Sequence, residues 1–319
     1  MAGERRALVI GAAGFVGPWL CRELISHGWQ VVAADRNPSA IPSEISDARG
    51  VDLTDAASVL RLVQEAEPAA VVNLAAVSSV GLSWRRPQDT VTVNVNGAIN
   101  LFEAVRRAPT EPIMLIVGTS EEYLPSSGPL AETAPLAATN PYGISKQAQE
   151  LFSHLYATEY GLRVIKTRSF NHTGPGQADA FVISSWCKQA VLIEQGRQEP
   201  VLHVGNLAVE RDFSDVRDVV RAYRLLIECE SSVGQTVNVG SGTARSLASV
   251  GELIRSASDA SFKIVVDPSR VRSSDTPRIQ ADIGRIERLV GWKPEIPFDQ
   301  TVRDMIEYWR HNLDASVAH

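Results

Sequence analysis

A chain of 319 residues, 44% hydrophobic and 21% charged, is globular and long enough for one large α/β unit or a domain with a smaller appended lobe. Its net charge of −6 argues against a general role on nucleic acid or anionic membrane, which need a basic field. No apolar run approaches the ~20 residues of a bilayer span. Three scattered cysteines, Cys21, Cys187 and Cys229, and histidines without ligand spacing predict a reducing, cytoplasmic setting with no metal site.

In chain order, "ALVIG" (7–11) comes first. It is too short for the apolar region of a secretion signal and leads straight into glycines, so it reads as a strand. "QVVAAD" (30–35), "AAVVNLAA" (69–76) and "IMLIVGTS" (113–120) repeat the pattern, each ending in small or polar residues. Helical patterns such as "GPWLCRELISHG" and "VNGAINLFEAVRRA" lie between them. Apolar strands alternating with helices predict an α/β fold with a doubly wound, Rossmann-like parallel sheet. We expect the nucleotide-binding part over 1–170, with later sheet strands from about 200–245. Residues 171–319 are less regular and are expected to form mostly a smaller α/β substrate lobe, interleaved with the first.

The segment "VIGAAGFVGPWL" places Gly11, Gly14 and Gly17 between a strand and a helix. Glycine there permits a tight turn and lets backbone N–H groups approach a pyrophosphate. Asp35 ends the second strand, where a carboxylate accepts hydrogen bonds from an adenosine ribose. "VDLTD" (51–55) adds Asp52 at a turn expected beside the adenine. Together these predict a bound dinucleotide. Asp35 would repel a 2′-phosphate and favours NAD(H); Arg36, directly after it, would receive that phosphate and keeps NADP(H) open.

The fourth strand ends in Thr119, Ser120 and Glu121, and "NPYGISK" follows. Asn140 is a good helix cap and Pro141 fits the first helical position, so Tyr142 and Lys146 share one helical face. In a doubly wound sheet these groups converge beyond the strand ends, where a nicotinamide would lie. A tyrosine of pKa ~10 is a poor acid–base group at neutral pH. A neighbouring Lys⁺ and the nicotinamide charge are expected to lower it; a shift of ~3 units is worth ~4 kcal/mol. Thr119 is expected to donate a hydrogen bond to the reacting oxygen.

"GAAGFVG", "NLAAVSSV", "TSEEY" and "NPYGISK" resemble the extended short-chain dehydrogenase/reductase family acting on nucleotide sugars. The resemblance implies a Thr119–Tyr142–Lys146 triad and a nucleoside-diphosphate sugar in the C-terminal lobe. It also implies cofactor contacts from Phe15, Val16, Leu53, Leu74, Ala75 and Ala76. Segments 168–177, 204–223 and 270–298 are similar to the GDP-mannose branch, which holds GDP-mannose 4,6-dehydratases and GDP-4-keto-6-deoxymannose reductases. That likeness implies a GDP-sugar substrate, with Asn171 near the sugar or pyrophosphate. It puts Arg211 and Arg272 on the nucleotide and Asp275 on the ribose or base, with Ser79, Ser120, Val182 and Asn206 around the substrate. An ion pair with Asp212 or Asp215 is the competing reading of Arg211.

Glu121 stands where the dehydratases carry their extra base. "NHTGPGQADAF" and the following "ISSW", without a basic pair, look more like the reductases. Reduction of the C4 ketone to GDP-rhamnose is the leading expectation. GDP-mannose 4,6-dehydration, another nucleotide-sugar epimerase or dehydratase, and a non-catalytic dinucleotide-binding module are the alternatives. Family members commonly pair as homodimers through a four-helix bundle, expected here from about 93–107 and 143–159. Pro18, Leu124 and Ser273 depart from the family pattern.

Overall fold

The computed structural model describes residues 5–270 and 276–315. The first six strands all enter one sheet: β1 (Arg6–Ile10), β2 (Gln30–Asp35), β3 (Asp47–Gly50), β4 (Ala70–Asn73), β5 (Ile113–Thr119) and β6 (Val164–Ser169). The next three, β7 (Asn171–Thr173), β8 (Val201–Val204) and β9 (Glu210–Asp215), stay outside it. β10 (Thr236–Val239) then returns as the seventh strand, giving the order β10-β6-β5-β4-β1-β2-β3. Every pairing is parallel. This is an α/β, doubly wound, Rossmann-like sheet.

Its strands are apolar on both faces because helices cover both. On one face Leu8, Ile10, Val71 and Met114 pack with Leu62 and Val63 of α2 (Ala56–Ala66) and with Leu101 and Phe102 of α5 (Gly97–Arg106). On the other, Val9, Val72, Leu115 and Ile165 meet Leu20 and Leu24 of α1 (Val16–Ser26) and Val219 and Tyr223 of α8 (Val216–Glu228). Short α3 (Val80–Arg85) and α4 (Pro87–Val91) precede a π-helical turn, Thr92–Asn96, that feeds α5. The 20-residue α6 (Pro141–Tyr160) crosses beside them.

The second lobe comprises α7 (Val182–Glu194), α9 (Leu247–Ala257), α11 (Phe298–Ala315) and small strands β11 (Ala244–Ser246), β12 (Lys263–Val266) and β13 (Arg278–Ile279). α10 (Gly284–Val290) instead packs Ile286 into the sheet side. Trp186, Leu202, Val250 and Val302 form the lobe's core. Of the strands between 200 and 245, only β10 joins the large sheet. β9 pairs with β7, β11 and β13, and β8 pairs with β12. Their residues are split between two small sheets. β3 was not expected: "DARG" has no apolar run, and it forms by completing β2's free edge.

On helix α5 the apolar stripe faces inward. Ala98, Leu101, Phe102 and Val105 are buried in the chain's own core. Helix α6 instead leaves Ile144, Leu151 and Leu155 exposed. Among the described residues no helix is long and apolar enough to cross a membrane.

Candidate active site

The site begins where β5 ends. Thr119 caps a 3₁₀ turn, Ser120–Glu122: its Oγ1 accepts from Glu121 N at 3.3 Å, and Glu122 Oε1 accepts from Thr119 N at 2.7 Å. This reciprocal pairing satisfies donors that the strand end would leave bare. Asn140 caps α6, its Oδ1 accepting from Gly143 N at 2.9 Å, with Pro141 at the first helical position. Asn140 Nδ2 also donates to Glu121 Oε2 at 2.8 Å, tying the helix start to the turn after β5. A Cβ at residue 143 would lie 2.5 Å from Glu121 O, so only glycine lets the two segments come this close. The result is that the Tyr142 side chain is brought against Thr119, whose hydroxyl acts on the phenol.

Burial pushes the Tyr142 phenol well above its ordinary pKa; the Thr119 hydroxyl opposes this, and the charges of Glu122 and Glu121 add to it. Lys146 is 3% exposed, and its Nζ donates to Val117 O at 2.7 Å and Gln149 Oε1 at 3.0 Å. Burial draws its ammonium down to about 8, against the opposing charge of Glu122. The expected lowering of Tyr142 by Lys146 is therefore corrected. The amine is turned onto β5 and its own helix, and desolvation of the phenolate dominates.

The glycine loop lies at the same sheet edge. Gly11 has φ +83°, and a Cβ there would sit 2.7 Å from Ala75 N; one on Gly17 would sit 2.3 Å from Ala12 O. No side chain caps α1, and no acidic residue occupies its first turn, which leaves its positive end for an anion. Pro18 is the third residue of α1, where a missing N–H costs no helical bond. Phe15 stacks on His172 with centroids 6.2 Å apart, and Val16 starts the helix. Burial draws His172 below the usual imidazole range, and its Nδ1 lies 3.1 Å from Phe170 O, which opposes the shift. These features fit a dinucleotide pyrophosphate.

Asp35 is held at the end of β2: Oδ2 accepts from Ala13 N at 3.1 Å and Oδ1 from Asn37 N at 3.0 Å, with Arg36 exposed beside it. Asp52 is exposed, its carboxylate kept below the usual range by the backbone and hydroxyl of Thr54. Leu53 is buried against Gly97. Leu74, Ala75 and Ala76 leave β4 beside Gly11, with Leu74 N donating to Ile10 O at 2.9 Å.

The expected substrate residues are less tightly gathered. Ser79 caps α3, and Ser83 of that helix accepts from Tyr142 N at 3.2 Å. Ser120 is buried in the 3₁₀ turn. Asn171 is exposed on β7 and Val182 is exposed at the start of α7. Asn206 closes its own turn by accepting from Ala208 N. Arg211 Nη1 donates to Glu210 O and, at 2.6 Å, to Thr276 O. Asp215 pairs with Arg217, and Asp212 accepts from Ser241 N, Gly242 N and Ala281 N. Arg272, Ser273 and Asp275 lie outside the described residues.

Two site residues escaped the sequence reading. Asn94, buried in the π turn, bonds Val77 N and O and Ser145 Oγ, clamping the loop after β4 to α6. Its signal was the interruption of a helical pattern, since π turns cluster at functional sites. Glu122 is fully buried behind Thr119. A second glutamate after "TSE" was visible, but its inward direction was not.

The family model described as GDP-mannose 4,6 dehydratase matches residues 8–305. The chain is similar to the GDP-6-deoxy-D-mannose reductase of Pseudomonas aeruginosa, at 32% identity over 97% of this chain and 98% of the relative. It is 28% identical to GDP-mannose 4,6 dehydratase 2 of Arabidopsis thaliana, over 94% of this chain and 86% of that one. Among solved structures, RMD from Pseudomonas aeruginosa complexed with NADPH superposes with a TM-score of 0.86 at 31% identity, covering 97% of this chain and 100% of that one. A Thermotoga maritima UDP-glucose 4-epimerase with UDP-glucose gives 0.87 at 25%, covering 97% and 99%. With the glycine loop, the Thr119–Tyr142 pair and this match along nearly its whole length, the chain belongs to the GDP-mannose 4,6-dehydratase family of the extended short-chain dehydrogenase/reductases.

Proposed function

We propose that this chain is an NAD(P)-dependent nucleotide-sugar oxidoreductase that reduces the C4 ketone of GDP-4-keto-6-deoxymannose to GDP-rhamnose. The observation that carries the reading is the docking of the α6 start on the turn after β5, through Asn140 on Glu121 and the close approach at Gly143. This docking sets Tyr142 against Thr119 beside the glycine loop, with Lys146 one helical turn behind. Reductase is favoured over dehydratase because Glu121 is engaged in holding Asn140, the cap of the catalytic helix. The Pseudomonas aeruginosa relative points the same way.

A bound reduced nicotinamide supplies hydride. Tyr142, kept protonated by its burial, gives its proton to the oxygen forming at C4. Thr119 orients that hydroxyl and offers a second donor to the same oxygen. Lys146 stands one helical turn behind Tyr142 with its amine drawn down to about 8 and held on Val117 O and Gln149 Oε1. The rigidly held Asp35 carboxylate favours NAD(H), and Arg36 provides the route to NADP(H). The second lobe receives the GDP-sugar, and two copies pair through the exposed Ile144, Leu151 and Leu155 of α6.

Purified protein is given GDP-mannose alone in one tube, and GDP-4-keto-6-deoxymannose with NADH or NADPH in another. Loss of reduced cofactor only in the second, with GDP-rhamnose on chromatography, is the expected result and sets the coenzyme preference. Conversion of GDP-mannose to a keto sugar without net cofactor use would overturn it in favour of dehydration, with Glu121 as base. Tight NAD binding without turnover of either sugar would point to a binding module.

A further inference from the structure

Behind the triad lies a second carboxyl site that the proposed chemistry does not use. Glu122 folds back over β5, its Oε1 on Thr119 N at 2.7 Å. A Cβ on Gly118 would lie 2.5 Å from that oxygen, so the glycine is what admits the carboxyl. Glu122 Oε2 is buried and receives no hydrogen bond from an N–H or hydroxyl group. The charged group that acts on it is the carboxyl of Glu150, which lines the same small space as Gly118 and Lys146. Glu150 lies on α6 one turn beyond Lys146 and is held bidentately by Arg168, at 2.9 and 2.6 Å. Carboxylate oxygens are acceptors only, so two that meet in a buried site are joined by a proton.

We propose that Glu122 is a positioning residue for proton transfer: it shares one buried proton with Glu150, and its ionisation keeps Lys146 and Tyr142 in their acid forms. The proposal rests on the oxidoreductase reading above. Charged and titratable groups surround the pair from each packed element: Lys146 and Tyr142 on α6, Lys166 and Arg168 on β6, and Glu121 and Tyr123 beside Glu122 itself. Glu132 completes the ring; its backbone oxygen accepts from Arg168.

Burial and the Glu150 charge raise Glu122 to about 8, the range in which Lys146 also titrates. As pH rises the shared proton leaves, and a negative charge appears beside the ammonium. That charge opposes loss of the Lys146 proton and also of the Tyr142 proton. Both acid forms then persist to higher pH, which is where reduction would otherwise lose its proton donor.

Glu122→Gln is the informative variant, because the amide copies a permanently protonated acid. Its oxygen still accepts from Thr119 N and its NH₂ donates to Glu150, but it cannot ionise. Turnover in the reductive direction would be followed from about pH 6 to about pH 10. The alkaline limb of kcat for Glu122→Gln is expected to move to lower pH by ~0.5–1 unit, a ~3–10-fold loss against wild type that develops only above neutrality. Superposable limbs would overturn the proposal. An infrared titration provides a readout without any substrate. A buried protonated-carboxyl band is expected in wild type, to fade through about pH 8, and to be missing in Glu122→Gln. The same band in both proteins, or none in wild type, would also overturn it. Because the band needs no turnover, a wrong substrate assignment is told apart from a wrong role for Glu122.

Discussion

The Rossmann half and the second lobe are stabilised by different means. In the first, β1, β4 and β5 are almost wholly apolar and buried, and removal of that surface from water drives assembly. In the second, β9 reads "ERDFSD" and is still buried from Asp212 to Asp215. Three aspartates hold it and its following helix. Asp212 receives three backbone N–H groups; Asp215 caps α8 and accepts from Thr301; Asp218 receives the N–H groups of Glu295 and Ile296. The second lobe thus adds buried polar geometry to its own apolar core of Trp186, Leu202, Val250 and Val302. The candidate site lies where the polar strategy enters the apolar half, at the end of β5.

That contrast can be broken at several points. Tyr142→Phe is expected to lower turnover by about 10²–10⁴-fold while leaving the melting temperature nearly unchanged, measured by stopped-flow and calorimetry. Retention of more than about a tenth of the activity would remove Tyr142 from the chemistry. Asp212→Ala leaves buried N–H groups of Ser241, Gly242 and Ala281 without an acceptor, and a loss of ~3–5 kcal/mol is expected in denaturant unfolding. Leu115→Ala, fully buried in the sheet, is expected to cost ~2–5 kcal/mol through cavity formation. Hydrogen exchange separates the two: Asp212→Ala should loosen β9, β11 and β13 first, and Leu115→Ala the large sheet.

Smaller effects sharpen the picture. Asn140→Ala removes the α6 cap and the restraint on Glu121, at ~1 kcal/mol of stability. Glu122→Gln should alter the pH dependence of stability. A carboxyl raised by burial contributes stability that is fully present below its ordinary 4.5 and lost as pH rises through about 8. The melting temperature of Glu122→Gln relative to wild type is therefore expected to climb across that window and level off above it.

Much of the Rossmann half was legible because its signals are local. Apolar runs mark β1, β2, β4 and β5, the glycine spacing marks a turn only glycine can make, and Asn140–Pro141 marks a helix start. Strand β3 was not legible, since its short polar stretch becomes a strand only beside β2. The second lobe was hardest: Asp212 and Asp215 looked like partners for Arg211, whereas they take backbone and Arg217 donors. Arg272 and Asp275 remain sequence expectations alone.

The sequence by itself determined the alternation of strands and helices, the phosphate loop and the residues that reach the sheet edge. These depend on backbone conformation, helix capping and side-chain period, which act within a few neighbouring residues. Only the tertiary structure decided where the polar groups find partners: Lys146 on Val117, Asn94 on Ser145, and Glu122 against Glu150. A buried charge takes its protonation state from whatever the fold brings against it, and those groups come from distant parts of the chain.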